Sequence, residues 1–214
     1  MNSKTKRITA IAMLSAIAYV VMAYGRIPVV LFLKYDPSDI IITLGGLIWG
    51  PLTSLITATI VAVIEMITVS ETGIIGCIMN IVQSASFACV ASLIYKKKHT
   101  LSGAVIGLVT AWISTTAVMI LWNYLITPIY MKIPRQTVVE LLIPAFLPFN
   151  LLKGGLNAAM TFLLYKPVMN IMRKSGLAFT KTNGQKSKFT GYIILAVLIV
   201  ITCILLILHY NKII

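Results

Sequence analysis

The sequence predicts an all-α integral membrane protein: a bundle of six transmembrane helices with a further transmembrane helix at the C-terminus. Three observations predict it. The 214 residues are 59% hydrophobic and 11% charged, with mean hydropathy +0.97. Soluble domains run at about 45–50% apolar and about 25% charged, so this much apolar surface needs lipid as its solvent. The apolar residues gather in six or seven stretches, each near the roughly 20 residues that cross a hydrocarbon core as helix. The cations lie mostly in the short segments between these stretches, where they set membrane orientation. The stretches use nearly the whole chain and leave no room for a soluble catalytic domain.

The first span is expected at residues 5–24, behind Lys4, Lys6 and Arg7. Its length, and the spans that follow at once, mark a retained helix rather than a cleaved signal. Arg26 and Pro28 end it, and a short apolar piece at 29–33 leads to Lys34-Tyr35-Asp36-Pro37-Ser38-Asp39. The second span, 37–49, is short. Gly50-Pro51 breaks it, and proline suits the first turn of the next helix, which runs to about residue 69. Ser70-Glu71-Thr72-Gly73 makes a turn. The fourth span, 73–95, ends at Lys96-Lys97-Lys98-His99, and the fifth covers 101–125. A polar stretch through Lys132, Pro134, Arg135 and Glu140 follows. The sixth span, 147–172, is shaped at its start by Pro144 and Pro148. The expected organisation is therefore a six-helix domain at 1–175, a basic cytoplasmic linker at 176–189, and an added helix within 190–214 built on the apolar run 192–208.

The net charge is +13. Aromatic platforms interleaved with the cations are absent, which argues against nucleic acid. With a cytoplasmic N-terminus, twelve cations fall inside and five outside: Arg26, Lys34, Lys132, Arg135 and Lys212. The positive-inside rule favours that choice. Asp36, Glu71 and Glu140 then lie outside, as do the irregular segments 26–39 and 126–148, so an external ligand would bind at the outer end. Cys77, Cys89 and Cys203 sit in apolar runs with no CxxC pair and read as small buried hydrophobes. P-loop, HExxH and GxSxG motifs are absent, and His99 and His209 sit at span ends. That argues against ATP hydrolysis or acid–base chemistry by this chain alone.

Lys153 is the most informative residue. A charge inside a span costs about 3 kcal/mol or more and is usually partnered or functional. Asn150, Lys153 and Asn157, at i, i+3 and i+7, share one helix face beside Gly154-Gly155. The stripe serves either as a ligand site or as inter-helical hydrogen-bonding glue with Lys153 snorkelling outward. Asp36-Pro37-Ser38-Asp39 has the pattern of a helix N-terminus; alternatively the carboxylates overhang a cavity and accept from hydroxyls. Asn123, beside Tyr124 near the outer end of the fifth span, can donate and accept at once, as a ligand edge alternating C=O and N–H requires; inter-helix bonding is the competing reading. Glu65 and Asn80 are open to both roles, structural first. Ala12 and Ala16 form a small-xxx-small pair that permits close helix packing in lipid.

Five blocks carry a resemblance: LKYDPSDI from Leu33, LGGLIWGP from Leu44, TGIIGCIMNIVQSASF from Thr72, NYLITPIY from Asn123 and LPFNLLKG from Leu147. In combination the chain resembles the substrate-binding S components of energy-coupling factor (ECF) transporters, most closely the riboflavin-specific one. The resemblance implies a six-helix S component that is not an enzyme and uses no cofactor, with an outward-facing riboflavin pocket. By motif, the riboflavin-binding residues fall on Asp36, Asp39, Thr43, Asn123, Asn150 and Lys153. It further implies that Ala12 and Ala16 dock onto a transmembrane T component, with two ATP-binding subunits driving transport. The run 192–208 departs from the family's six helices, and if it spans, the C-terminus is outside. Two other readings stay open: an S component for another vitamin, and a membrane enzyme holding metal on Asp36 and Asp39. A channel is a weaker third.

Overall fold

In lipid every backbone N–H and C=O must be paired within the protein, so apolar runs fold as helices. The computed structural model describes residues 3–30, 33–70, 72–174 and 189–210. Glu71, Lys212 and all but the last residue of the expected linker 176–189 lie outside the described residues. The elements in order are α1 (Ser3–Gly25), β1 (Ile27–Val30), β2 (Leu33–Tyr35), α2 (Ser38–Trp49), α3 (Pro51–Thr68), α4 (Gly73–Lys97), α5 (Leu101–Met131), α6 (Arg135–Leu141), α7 (Leu147–Lys174) and α8 (Phe189–Tyr210). A π-helical turn, Leu142–Phe146, joins α6 to α7. Six helical segments are long and apolar enough to cross a membrane, with α6 and α7 counting as one and α8 among them. The chain is a multi-pass membrane protein of the expected class.

Two connections differ from expectation. The piece between α1 and α2 is an antiparallel hairpin, pairing Ile27 with Tyr35 and Pro28 with Lys34. Strand pairing satisfies the backbone of a segment too short to be a stable helix. The segment expected to be irregular at 126–148 is mostly helical. α5 continues past Pro128, which sits in its last turn, and stops at Lys132 in the left-handed region (φ 53°), whose N–H bonds back to the Pro128 carbonyl. Pro144 lies in the π-helical turn, where an interrupted ladder accommodates a residue with no N–H.

α2 is the centre of the bundle. Its 12 residues rise only roughly 18 Å, yet ten of them are buried, and it packs on α1, α3, α4 and α7. Gly50 (φ +95°) makes the sharp turn into Pro51, the first residue of α3, and donates its N–H to the Gly46 carbonyl. Around this centre α4 and α5 form an extensive pair, and α7 packs on α5. There a Cβ on Gly154 would collide with the Trp112 indole, whose Nε1 donates to the Leu151 carbonyl at 2.9 Å. The glycine pair thus admits the close approach of α5.

α8 lies along α7. Ala196 packs with Phe162 toward one end; Cys203 and Ile207 pack with Leu152, Leu156, Val29 and Tyr35 toward the other. At the end away from the hairpin, Arg7 Nε donates to Thr53 Oγ1 at 3.2 Å and the Tyr95 and Tyr165 hydroxyls bond each other. Lys96 and Lys97 finish α4 there. Large apolar side chains such as Ile8, Ile113, Ile171 and Ile201 point outward from the bundle, as a protein solvated by lipid requires.

Candidate functional site

α1, α3 and α5 end, and α2, α4 and α7 begin, at the hairpin end of the bundle. There they enclose a cavity of about 350 Å³, within the roughly 300–1,000 Å³ of small-molecule sites. Its lining includes the apolar and aromatic side chains Met119, Trp122, Ile126, Tyr130 and Phe149. It also includes the polar and charged side chains Arg26, Asp36, Glu65, Asn80, Gln83, Asn123, Asn150 and Lys153. Lys34 also lines the cavity and is exposed.

The stripe on α7 divides by depth. Asn150 and Lys153 reach the cavity, while Asn157 does not. All three are buried. Asn150 Nδ2 donates to the Phe146 carbonyl at 2.8 Å. Asn123 Nδ2 donates to the Met119 carbonyl at 2.7 Å, and its Oδ1 accepts from Thr127 Oγ1 at 3.0 Å. These bonds to each helix's own turns and side chains fix the amides in orientation.

Two charge clusters flank the cavity. Arg26 bridges Asp36 at 3.2 Å and Glu65, and Asn80 Nδ2 donates to the second Glu65 oxygen at 2.7 Å. Burial lowers the Arg26 pKa, but Asp36 and Glu65 outweigh it and the net shift is upward. Asp36 also accepts from the Ser38 backbone N–H at 2.8 Å, so it does hold the start of α2. The second cluster centres on Asp39. Its Oδ2 stands 3.5 Å from Lys153 Nζ and accepts from Gln83 Nε2 at 3.2 Å and Asn157 Nδ2 at 3.3 Å. Its Oδ1 accepts from Ser84. Tyr35 donates its hydroxyl to Asn157 Oδ1 at 3.0 Å. Burial first, then the charges of Asp39 and Asp36, push that hydroxyl above its ordinary range, so it stays a donor.

Of the residues expected at a ligand site, Asp36, Asn123, Asn150 and Lys153 stand in the cavity wall. Asp39 and Thr43 do not. Both are buried, and Thr43 Oγ1 donates to the Asp39 carbonyl at 2.6 Å. The reason is the central position of α2, which turns its polar residues toward neighbouring helices. Ala12 and Ala16 are exposed on α1, away from the cavity. Sequence reasoning favoured structural roles for Glu65 and Asn80 and passed over Gln83 and Trp122. The polar spacing Asn80, Gln83, Ser84 in an apolar span was the available signal.

Asp36 and Asp39 are drawn to different cations, Arg26 and Lys153. Among the described residues no group of three or more His, Cys, Asp or Glu is placed to hold a metal ion. The arrangement suits capture of a small molecule that presents both apolar surface and hydrogen-bonding groups.

Residues 6–165 match the family model described as the ECF transporter, substrate-specific component. Over 180 residues the chain is 28% identical to riboflavin transporter RibU of Staphylococcus aureus (strain TCH60), covering 80% of this chain and 94% of that one. It is also 28% identical over 164 residues to riboflavin transporter FmnP of Bacillus subtilis (strain 168), covering 71% and 85%. A solved structure, reported for the structure and mechanism of the S component of a bacterial ECF transporter, superposes with TM-score 0.68 at 29% identity, covering 79% of this chain and 99% of that chain. With three quarters of its length matched and its fold shared, the chain belongs to the family of substrate-specific components of ECF transporters, a family of transport proteins rather than enzymes.

Proposed function

We propose that this chain binds riboflavin at the outer face of a bacterial cell membrane and delivers it inward as the S component of an ECF importer. The observation that carries the reading is the cavity itself, whose lining includes Asn123, Asn150 and Lys153 together with Trp122 and Phe149. The isoalloxazine ring lies against the apolar side chains. Its uracil-like edge alternates acceptors and donors, which two amides and an ammonium complement. Asp36, near the mouth, accepts from ribityl hydroxyls. Asp39 and Thr43 support the site from behind the wall. The 28% identity to riboflavin transporters supports the same ligand.

The N-terminus is cytoplasmic by the positive-inside rule, which puts the cavity outside. Ala12 and Ala16, exposed on α1, offer a smooth face to a transmembrane T component, and two ATP-binding subunits drive the cycle. α8 is a unit added after a cytoplasmic linker, with its C-terminal end outside.

The test is titration of the purified, flavin-free chain with riboflavin, read by quenching of flavin fluorescence. Saturable quenching that weakens roughly tenfold in Asn123→Ala and in Asn150→Ala is expected, the size of one lost buried hydrogen bond. No quenching at micromolar vitamin sinks the riboflavin assignment.

A further inference from the structure

Asp39 is fully committed and stays out of the ligand cavity, lining only a void of about 10 Å³ beside it. Its two carboxylate oxygens face Ser84 and Gln83 on α4 and Asn157 and Lys153 on α7, and it is absent from the cavity wall. Lys153 is different. Its side chain is 9% exposed, its Nζ stands 3.5 Å from Asp39 Oδ2, and it lines the cavity. An ammonium carries three donors on a flexible four-carbon stem. One donor engaged from behind fixes the stem and leaves the others for the cavity.

We propose that Asp39 is the positioning residue of the ligand site: it acts on bound ligand only through Lys153, whose ammonium it aims into the cavity and whose charge it cancels. Ser84, Gln83 and Asn157 hold Asp39, and Tyr35 of the hairpin holds Asn157, so the aim of Lys153 is set jointly by α2, α4, α7 and the hairpin. This rests on the riboflavin reading above.

A buried pair makes the idea separable from a structural role. Removing one partner strands the other charge in the interior, whereas removing both does not. The experiment compares the full-length chain with Asp39→Asn, Lys153→Met and the double variant, measuring thermal stability and riboflavin quenching in each. Each single variant is expected to melt lower than wild type and the double to recover. Binding is expected to fall on the order of tenfold or more in each single variant and to remain at the Lys153→Met level in the double. Binding that recovers along with stability overturns the proposal, because Asp39 and Lys153 are then merely structural. A double variant binding markedly worse than Lys153→Met also overturns it, because Asp39 then touches the ligand itself. An Asp39→Asn chain that binds like wild type does the same. A wild-type chain that quenches no flavin removes the riboflavin reading first, and this inference with it.

Discussion

Arg26 ties three helices together directly and a fourth through Glu65. It leaves α1, meets Asp36 at the start of α2 and Glu65 near the end of α3, and through Glu65 reaches Asn80 on α4. Glu65 is 5% exposed. Arg26→Ala strands that carboxylate, an effect worth about 3 kcal/mol or more where a buried partner is left alone. A lower melting temperature for Arg26→Ala is therefore expected, with a smaller loss for Arg26→Lys, which keeps the charge but not the fork that serves two carboxylates. Equal melting temperatures for wild type and Arg26→Ala would show that Glu65 finds another partner. Gly154 makes a different demand. A larger side chain there meets the Trp112 indole, so Gly154→Val is expected to cost about 1–3 kcal/mol by overpacking, read as a loss of folded protein in detergent. Trp112→Ala in the same chain should return part of it.

Among the elements, α8 shows how a helix outside the cavity shapes the site. No described α8 residue lines the cavity, but Cys203 and Ile207 pack on Val29, Tyr35 and Phe149. Those residues belong to the hairpin and to the start of α7, which do contribute to the wall. A chain stopped after Lys174 should insert and still bind, with faster ligand release of up to roughly tenfold, since such changes act mainly through the off-rate. Stopped-flow release of riboflavin measures it, and an unchanged off-rate would reduce α8 to a lipid-facing addition. The hairpin was not legible in the sequence as strand, because a seven-residue apolar stretch broken by Pro28 carries no clear period. The extension of α5 beyond Pro128 was missed because proline marks a probable helix end in sequence but is tolerated within the last turn.

For the whole molecule, the ligand site and the expected docking face are separate surfaces. Ala12 and Ala16 are exposed with Met13, Ile17 and Val20 on the outer face of α1, while the cavity opens at the hairpin end. Ala12→Leu with Ala16→Leu should therefore leave riboflavin titration unchanged and abolish riboflavin uptake by cells that express the partner subunits. Uptake at the wild-type rate would move the docking face elsewhere.

The sequence by itself determined the class of solvent, the places of the apolar helices and the identity of the polar residues that cannot face lipid. Composition and span length decide those, because hydrocarbon tolerates neither an unpaired backbone nor an unpaired charge. The face shared by Asn150, Lys153 and Asn157 followed from helical spacing alone. Only the tertiary structure decided how deep each polar group sits and which partner it takes. Spacing put Asp36 and Asp39 side by side as equals, whereas packing sends one to Arg26 and the cavity mouth and the other to Lys153 beneath the wall. That division depends on α2 lying at the centre of the bundle, and a helix's neighbours are set by long-range packing that no local period encodes.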